Sequence, residues 1–217
     1  MHAKDVKYIP GVGVDVDRFA NCQIDRASFN KEFHIPENAH ILLSVGELME
    51  RKNQIVVIEA LHQLNNPNIY YLIVVQGYLQ KMYESKIKEY GLEKNIRLLG
   101  FRDDVDKLCK YANCFVHPSI REGLGIAPLE AMASGLPLIS ANINGMKDYT
   151  TQRKTGFCIH PTAVDEMASA NEYIYTNKDF AAQCAKHNQI VAKKYDITQS
   201  QAIMRDIYKE FIEKNCK

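Results

Sequence analysis

A chain of 217 residues, 46% of them apolar, can bury a sizeable core as one domain or as one domain with appendages. Its 27 basic and 26 acidic residues leave a net charge of +1, which gives no electrostatic footprint for nucleic acid and no polybasic cluster for anionic lipid. The longest apolar run, "IYYLIVV" at 69–75, is far short of a membrane span, and "MHAKDVKYIP" lacks a signal-peptide core, so the expected location is cytoplasmic.

The first forty residues are less regular, and "IPGVGVD" (9–15) reads as a loop entering the domain. From there on, short β-branched runs alternate with helical segments. "ILLSV" (41–45) is a predicted strand and 53–64 a helix; "YLIVV" (71–75) is followed by a helix over 79–90. "IRLL" (96–99) precedes a helix at 104–112, "CFVH" (114–117) one at 127–134, and "PLIS" (137–140) closes the strand set. Three further helices, 164–176, 178–194 and 198–214, follow without clear strands between them. The strands lack strict alternation, as expected for a parallel sheet covered by helices on both faces. The fold class is therefore α/β: a Rossmann-like parallel sheet covered by helices, with a helical C-terminal tail. Cys22, Cys109, Cys114, Cys158, Cys184 and Cys216 form no C-x-x-C pair, and the expectation is reduced thiols.

The stretch "REGLGIAPLEAMASGLPLIS" (121–140) carries the chemistry. Pro118 ends the strand before it. Pro128 suits the first helical position, and Gly135 suits a left-handed cap followed by Pro137. Gly123 and Gly125 then lie in a strand-to-helix turn at the carboxyl edge of a parallel sheet, where backbone amides bind anions. Two familiar phosphate fingerprints fail. G-x-G-x-x-G meets Pro128 after Gly123 and Gly125, and Val16 after Gly11 and Gly13. The Walker spacing after Gly46 puts Arg51 where glycine belongs and Asn53 where the magnesium-binding hydroxyl belongs.

Glu130, near the third helical position by this reading, has no capping box to close, because Ala127 stands where the cap would be. A carboxylate there either complements the helix dipole or accepts from both hydroxyls of a ribose.

"FVHPSIREGLGIAPLEAMASGLPLISANINGMKDY", with its E-x7-E frame from Glu122 to Glu130, resembles the donor-binding signature of the family 4 glycosyltransferases. The resemblance extends from "VKYIPGVGVD" through "SVGELMERKN" and "IRLLGFRDDV" to "KTGFCIHP", roughly 6–161, and is closest in texture to members that build capsular or other surface polysaccharides. It implies one half of a GT-B fold, a retaining enzyme with two Rossmann-like domains. On that basis 1–20 is an interdomain entry segment, 21–195 the nucleotide-sugar domain and 196–217 a C-terminal helix, with the N-terminal acceptor domain missing.

Roles follow position by position from the resemblance. Glu130 matches the glutamate that holds the ribose. Glu122 matches the catalytic-site glutamate that contacts the transferred sugar. Backbone amides of Gly123, Leu124, Gly125 and Ile126 hold the diphosphate, and Lys52 neutralises it. Gly46, which ends the strand beneath, is a further donor-binding candidate, and Phe101 and Arg102 are the candidate contacts to the base. One departure stands out: relatives commonly carry arginine after the glycine of the "VG" strand end, and here that residue is Glu47. Arg51 is then the candidate substitute, with Asn53 capping the next helix and Glu47 pairing with Arg51 or Lys52 when no donor is bound. Asp148 in "NGMKDY" stands where many relatives have glutamate.

The expected substrate is a nucleoside-diphosphate sugar, with no cofactor and no metal, and the expected acceptor a glycan or a lipid-linked molecule at the inner membrane face, which would make the full-length protein peripheral to the membrane. A non-catalytic nucleotide-sugar binding or regulatory module is the alternative, and a sugar-nucleotide epimerase a third reading disfavoured by the E-x7-E spelling. "DDVD" (103–106) contains the D-x-D of metal-dependent transferases but opens a helix, where acids cap. Cys114 and His117 face opposite sides of a strand, which argues against shared zinc ligation. Tyr70, Tyr71, Phe115 and Phe157 are expected in the core, and Lys193 and Lys194 at a solvated helix end.

Overall fold

The computed structural model describes residues 6–9 and 11–215; Pro10 and Cys216, which the sequence reading touched, and residues 1–5 of the entry segment lie outside them. In chain order the elements are α1 (Val16–Asn21), α2 (Arg26–Phe33), β1 (His40–Val45), α3 (Ile55–Leu64), β2 (Ile69–Val74), α4 (Gln80–Glu89), β3 (Ile96–Gly100), α5 (Val105–Tyr111), β4 (Cys114–His117), α6 (Ile126–Ala133), β5 (Leu138–Ala141), β6 (Gly156–Ile159), α7 (Val164–Thr176), α8 (Lys178–Ala192) and α9 (Ile197–Asn215). The six strands form one parallel sheet in the order β3-β2-β1-β4-β5-β6. This is the doubly wound arrangement, in which the chain direction across the sheet reverses between β1 and β4.

Both faces of the sheet are apolar, which is why its strands read as continuous hydrophobic runs. Ile41, Leu43, Leu72, Phe115 and Leu138 point to one face, where α1, α2, α5 and α6 add Phe19, Phe29, Leu108 and Leu129. Leu42, Tyr71, Ile73, Val116 and Ile139 point to the other, covered by Ile58 of α3, Tyr83 of α4 and Met167 of α7. Tyr70, Tyr71 and Phe115 are core residues and Phe157 packs at its edge, as expected. The five cysteines among the described residues are free thiols.

Several expectations are corrected. Two short helices that were not read from the sequence open the domain: Asp15 and Asp25 accept the amides of Arg18 and Ala27 and so cap α1 and α2. Because α1 runs across residues 20 and 21 and buries Val16 and Phe19, a boundary there cuts a helix that belongs to the core. The sheet has a sixth strand, β6, which was not read from "GFCI". Helix α6 starts at Ile126 with Gly125 as its cap, so Pro128 is its third residue and Glu130 its fifth. Its end is as expected. Gly135 is left-handed at φ 86°, and the amides of Gly135 and Leu136 return to the carbonyls of Met132 and Ala131.

Candidate functional site

Where a doubly wound sheet reverses direction, the loops leaving the two central strands diverge and open a crevice at the carboxyl edge. Here those loops follow β1 and β4. The first turns through a short 3-10 segment, Glu50–Lys52, and the second carries Pro118 to Gly125. Two contacts bind these loops together, and a third ties them to the segment after β6. The Ile120 amide donates to the Arg51 carbonyl at 2.8 Å, and Asn53 Nδ2 donates to the carbonyls of Pro118 at 3.3 Å and Pro161 at 2.6 Å. Asn53 is therefore not the expected helix cap. It is left-handed at φ 55°, and Gln54 takes the position before α3, with Nε2 donating to the Gly46 carbonyl at 3.1 Å.

The glycine turn is held from the opposite side. Tyr149 Oη donates to the Leu124 carbonyl at 2.8 Å. Gly145 lies so close that an added Cβ would overlap the Gly123 carbonyl oxygen. Gly125 adopts φ 75°, a left-handed conformation that glycine enters without steric cost. Among the described residues, the backbone amides of Gly123, Leu124, Gly125, Ile126 and Ala127 have no acceptor. Such orphan donors at a helix start carry partial positive charge and suit an anion.

Glu122 sits at the centre of the charge distribution. Its Oε1 accepts from Lys52 Nζ, from His117 Nε2 at 3.1 Å and from Ser119 Oγ at 3.3 Å, while Arg51 Nη1 lies 3.5 Å from Oε2. Burial opposes its charge, but hydrogen bonds from His117 and Lys52 and their positive potential prevail and hold the carboxyl at about 2. Burial lowers the His117 pKa, the Glu122 hydrogen bond opposes that, and Lys52 and Arg51 lower it further. A carboxylate only accepts, so a neutral His117 carries its proton on Nε2. Lys52 and Arg51 thus pair with Glu122, not with Glu47 as expected; Glu47 is exposed. Gly46 lies under the Lys52 stem, which an added Cβ would meet at 3.4 Å.

A cavity of about 510 Å³ opens over this group, lined by Gly11, Val12, Lys52, His117, Glu122 and the turn Gly123–Ala127. A second of about 490 Å³ adjoins it through Glu122 and Gly123 and is lined also by Arg51 and Arg121. Both are of a size that takes small-molecule ligands. Lys52, Glu122, Gly123, Leu124, Gly125 and Ile126 thus meet around one cavity and Arg51 borders the next. Glu130, one turn inside α6, lines neither. Burial raises its pKa while Arg18 lowers it, and its carboxylate has no hydrogen bond among the described residues. Phe101 is 79% exposed at the end of β3, two strands from β1. Arg102 is committed to Asp104 by a two-pronged pair at 2.8 Å and to Glu32 at 2.7 Å.

The same pairing changes the account of "DDVD". Asp104 precedes α5 without a side-chain cap bond because Arg102 occupies its carboxylate, and Asp106 is held by Arg18 at 3.2 Å. Among the described residues no group of three His, Cys, Asp or Glu side chains is placed to hold a metal ion. None of their helices is long and apolar enough to cross a membrane. Sequence reasoning missed His117, Ser119, Tyr149, Gly145, Gly11 and Val12. His117 was weighed only as a zinc partner of Cys114, although its spacing of five residues from Glu122 was visible.

Comparison with known proteins agrees with the fold. The family described as Glycosyl transferases group 1 matches residues 25–191. Over 212 residues, 95% of this chain and 54% of the relative, the sequence is 27% identical to the UDP-Gal:alpha-D-GlcNAc-diphosphoundecaprenol alpha-1,3-galactosyltransferase of Escherichia coli. The crystal structure of Anabaena Alr3699/HepE in complex with UDP superposes with a TM-score of 0.83 at 24% identity, over 91% of this chain and 56% of that one. The C-terminal domain of a glycosyl transferase group 1 family protein (LpcC) from Francisella tularensis gives a TM-score of 0.75 at 21% identity, over 85% of this chain and 100% of that one. The chain spans about half the length of the curated relatives it matches.

Proposed function

The chain belongs to the glycosyl transferases group 1 family, and from that premise we propose that it is the donor-binding half of a retaining glycosyltransferase. The enzyme transfers a sugar from a nucleoside-diphosphate sugar to a glycan or lipid-linked acceptor in surface polysaccharide biosynthesis. The observation that carries the reading is the cavity in which the Lys52 ammonium and the partnerless amides of Gly123–Ala127 converge beside Glu122. Opposite walls of one crevice thereby offer fixed donors to a diphosphate.

In this reading the amides and Lys52 stabilise the charge that grows on the departing diphosphate, the part a metal plays elsewhere. Each charge-assisted hydrogen bond contributes about 1.5–3 kcal/mol. Glu122 faces the transferred sugar, and Glu130, partly buried and without a side-chain hydrogen bond among the described residues, takes the ribose hydroxyls. Arg51 supplies the second cation that Glu47 does not. The galactosyltransferase relative, whose named acceptor is a diphosphoundecaprenol derivative, supports a lipid-linked acceptor, and the UDP complex of the Anabaena protein supports a nucleotide ligand.

Titration calorimetry of the chain with UDP, GDP, ADP and the matching nucleosides tests the proposal. One diphosphate should bind on the order of ten micromolar to millimolar. Lys52→Ala and Arg51→Ala should weaken it well beyond any effect on the nucleoside. Equal losses for nucleoside and diphosphate, or no binding by any of the three, would overturn the assignment.

A further inference from the structure

Glu122 has partners of two kinds. Lys52 and Arg51 come from the loop after β1 and reach the cavities; the Arg51 side chain is 46% exposed. His117 is anchored on β4, with its side chain 5% exposed, and it stacks on Phe115 with ring centroids 6.2 Å apart at 18°. Ser119, fully buried, reaches both the imidazole at 3.2 Å and the carboxylate at 3.3 Å. The diphosphate and Glu122 compete for the same cations, whereas His117 and Ser119 have no route away from the carboxylate.

We propose that His117 is a positioning residue for Glu122: when a diphosphate draws Lys52 and Arg51 away, His117 takes up a proton from solvent and becomes the cation that holds the carboxylate. The inference rests on the reading of this site as a diphosphate site. The proton adds to Nδ1 of the neutral ring, while the Nε2–H bond to Glu122 Oε1 is kept as a charge-assisted bond, and no other bond is made or broken. The charged groups that act on the ring are Glu122 from its own loop and Lys52 and Arg51 from the loop after β1. From β5 its register partner is the neutral Ser140, and on β4 its ring stacks on the neutral Phe115. In the free protein burial and the two cations keep the ring neutral against the pull of Glu122. Departure of both cations leaves that pull unopposed except by burial, and the incoming phosphate adds to it.

Calorimetry of UDP, GDP and ADP at pH 7 in PIPES and in Tris reads the protons exchanged on binding, because the two buffers differ in heat of ionisation. The terminal phosphate titrates close to this pH, so the comparison is between wild type and His117→Gln. Wild type should take up as much as one proton more than the variant with the diphosphate that binds, and the matching nucleoside should show no such difference. Ring 15N spectra of wild type give a second reading that needs no variant. The His117 signals should change from a neutral ring protonated on Nε2 to an imidazolium on saturation. Binding with equal proton counts, or a ring that stays neutral in the complex, overturns the inference alone. If none of the three diphosphates binds, the reading of the site falls, and the inference with it.

Discussion

Lys52 Nζ and Glu122 Oε1 form an ion pair between residues 70 positions apart, with side chains only 15% and 9% exposed. The cation assigned to the diphosphate is therefore already engaged by the carboxylate assigned to the sugar. Glu122→Gln should release Lys52 and Arg51 and tighten binding of the free nucleoside diphosphate by about 1.5–3 kcal/mol, the range of one charge-assisted hydrogen bond. Calorimetry against the wild type checks this, and unchanged or weaker binding would mean that the pair does not compete with the ligand.

Glu130→Gln should separate binding from stability. Its carboxyl is raised by burial and has no hydrogen-bond partner among the described residues, so a neutral amide should leave the melting temperature unchanged or slightly higher. The same change should weaken nucleoside as well as nucleoside diphosphate by about 1–2 kcal/mol, as a charged acceptor for ribose becomes neutral. A loss confined to the diphosphate would place Glu130 elsewhere.

Gly145→Ala should disturb the site through packing alone. The new Cβ would overlap the Gly123 carbonyl, and backbone cannot give way as a flexible side chain can. Overpacking of this kind costs about 1–3 kcal/mol. Urea denaturation should show that loss together with weaker diphosphate binding, whereas Gly91→Ala, at φ 68° with open space around it, should lose stability and leave binding intact.

His40 gives the fold a pH dependence remote from the crevice. It is 3% exposed at the start of β1, neither ring nitrogen has a hydrogen-bond partner among the described residues, and burial, aided by Lys178, lowers its pKa from 6.5 to about 4. Between those values the unfolded chain binds the extra proton. The contribution is present in full above pH 6.5 and is lost as pH falls towards 4, about 3 kcal/mol in all. Denaturation midpoints measured from pH 7 to 4.5 should fall less steeply for His40→Phe than for wild type. Glu122, held at about 2, contributes its own loss only below about 4.5.

The sequence made five strands legible because β-branched residues fill a sheet buried on both faces, as at Ile69–Val74. β6 escaped because it starts at Gly156, whose φ of 133° and contact with the Leu138 carbonyl leave no room for a side chain, so the segment reads as a turn. α1 and α2 escaped because they are six and eight residues long, although their Asp caps were visible. The glycine turn and the two glutamates were legible from local spacing. The pairing of Lys52 with Glu122 was not, because it depends on β1 lying beside β4, which no local pattern records.

That adjacency also sets when the site can exist during folding. Leu42 and Leu43 pair with Cys114 and Phe115 across a separation of 72 residues that contains two strands and three crossover helices. Closing so long a loop carries an entropic cost before its contacts form, which slows the step. The half of the sheet made by β1, β2 and β3 can pair through shorter connections first. The crevice is consequently assembled by the strand pairing with the longest separation in the sheet, so an intermediate with β1–β3 already paired would hold Lys52 but no Glu122 beside it. Recovery of ligand binding after dilution from denaturant therefore reports on closure of the β1–β4 seam, and should lag the recovery of secondary structure.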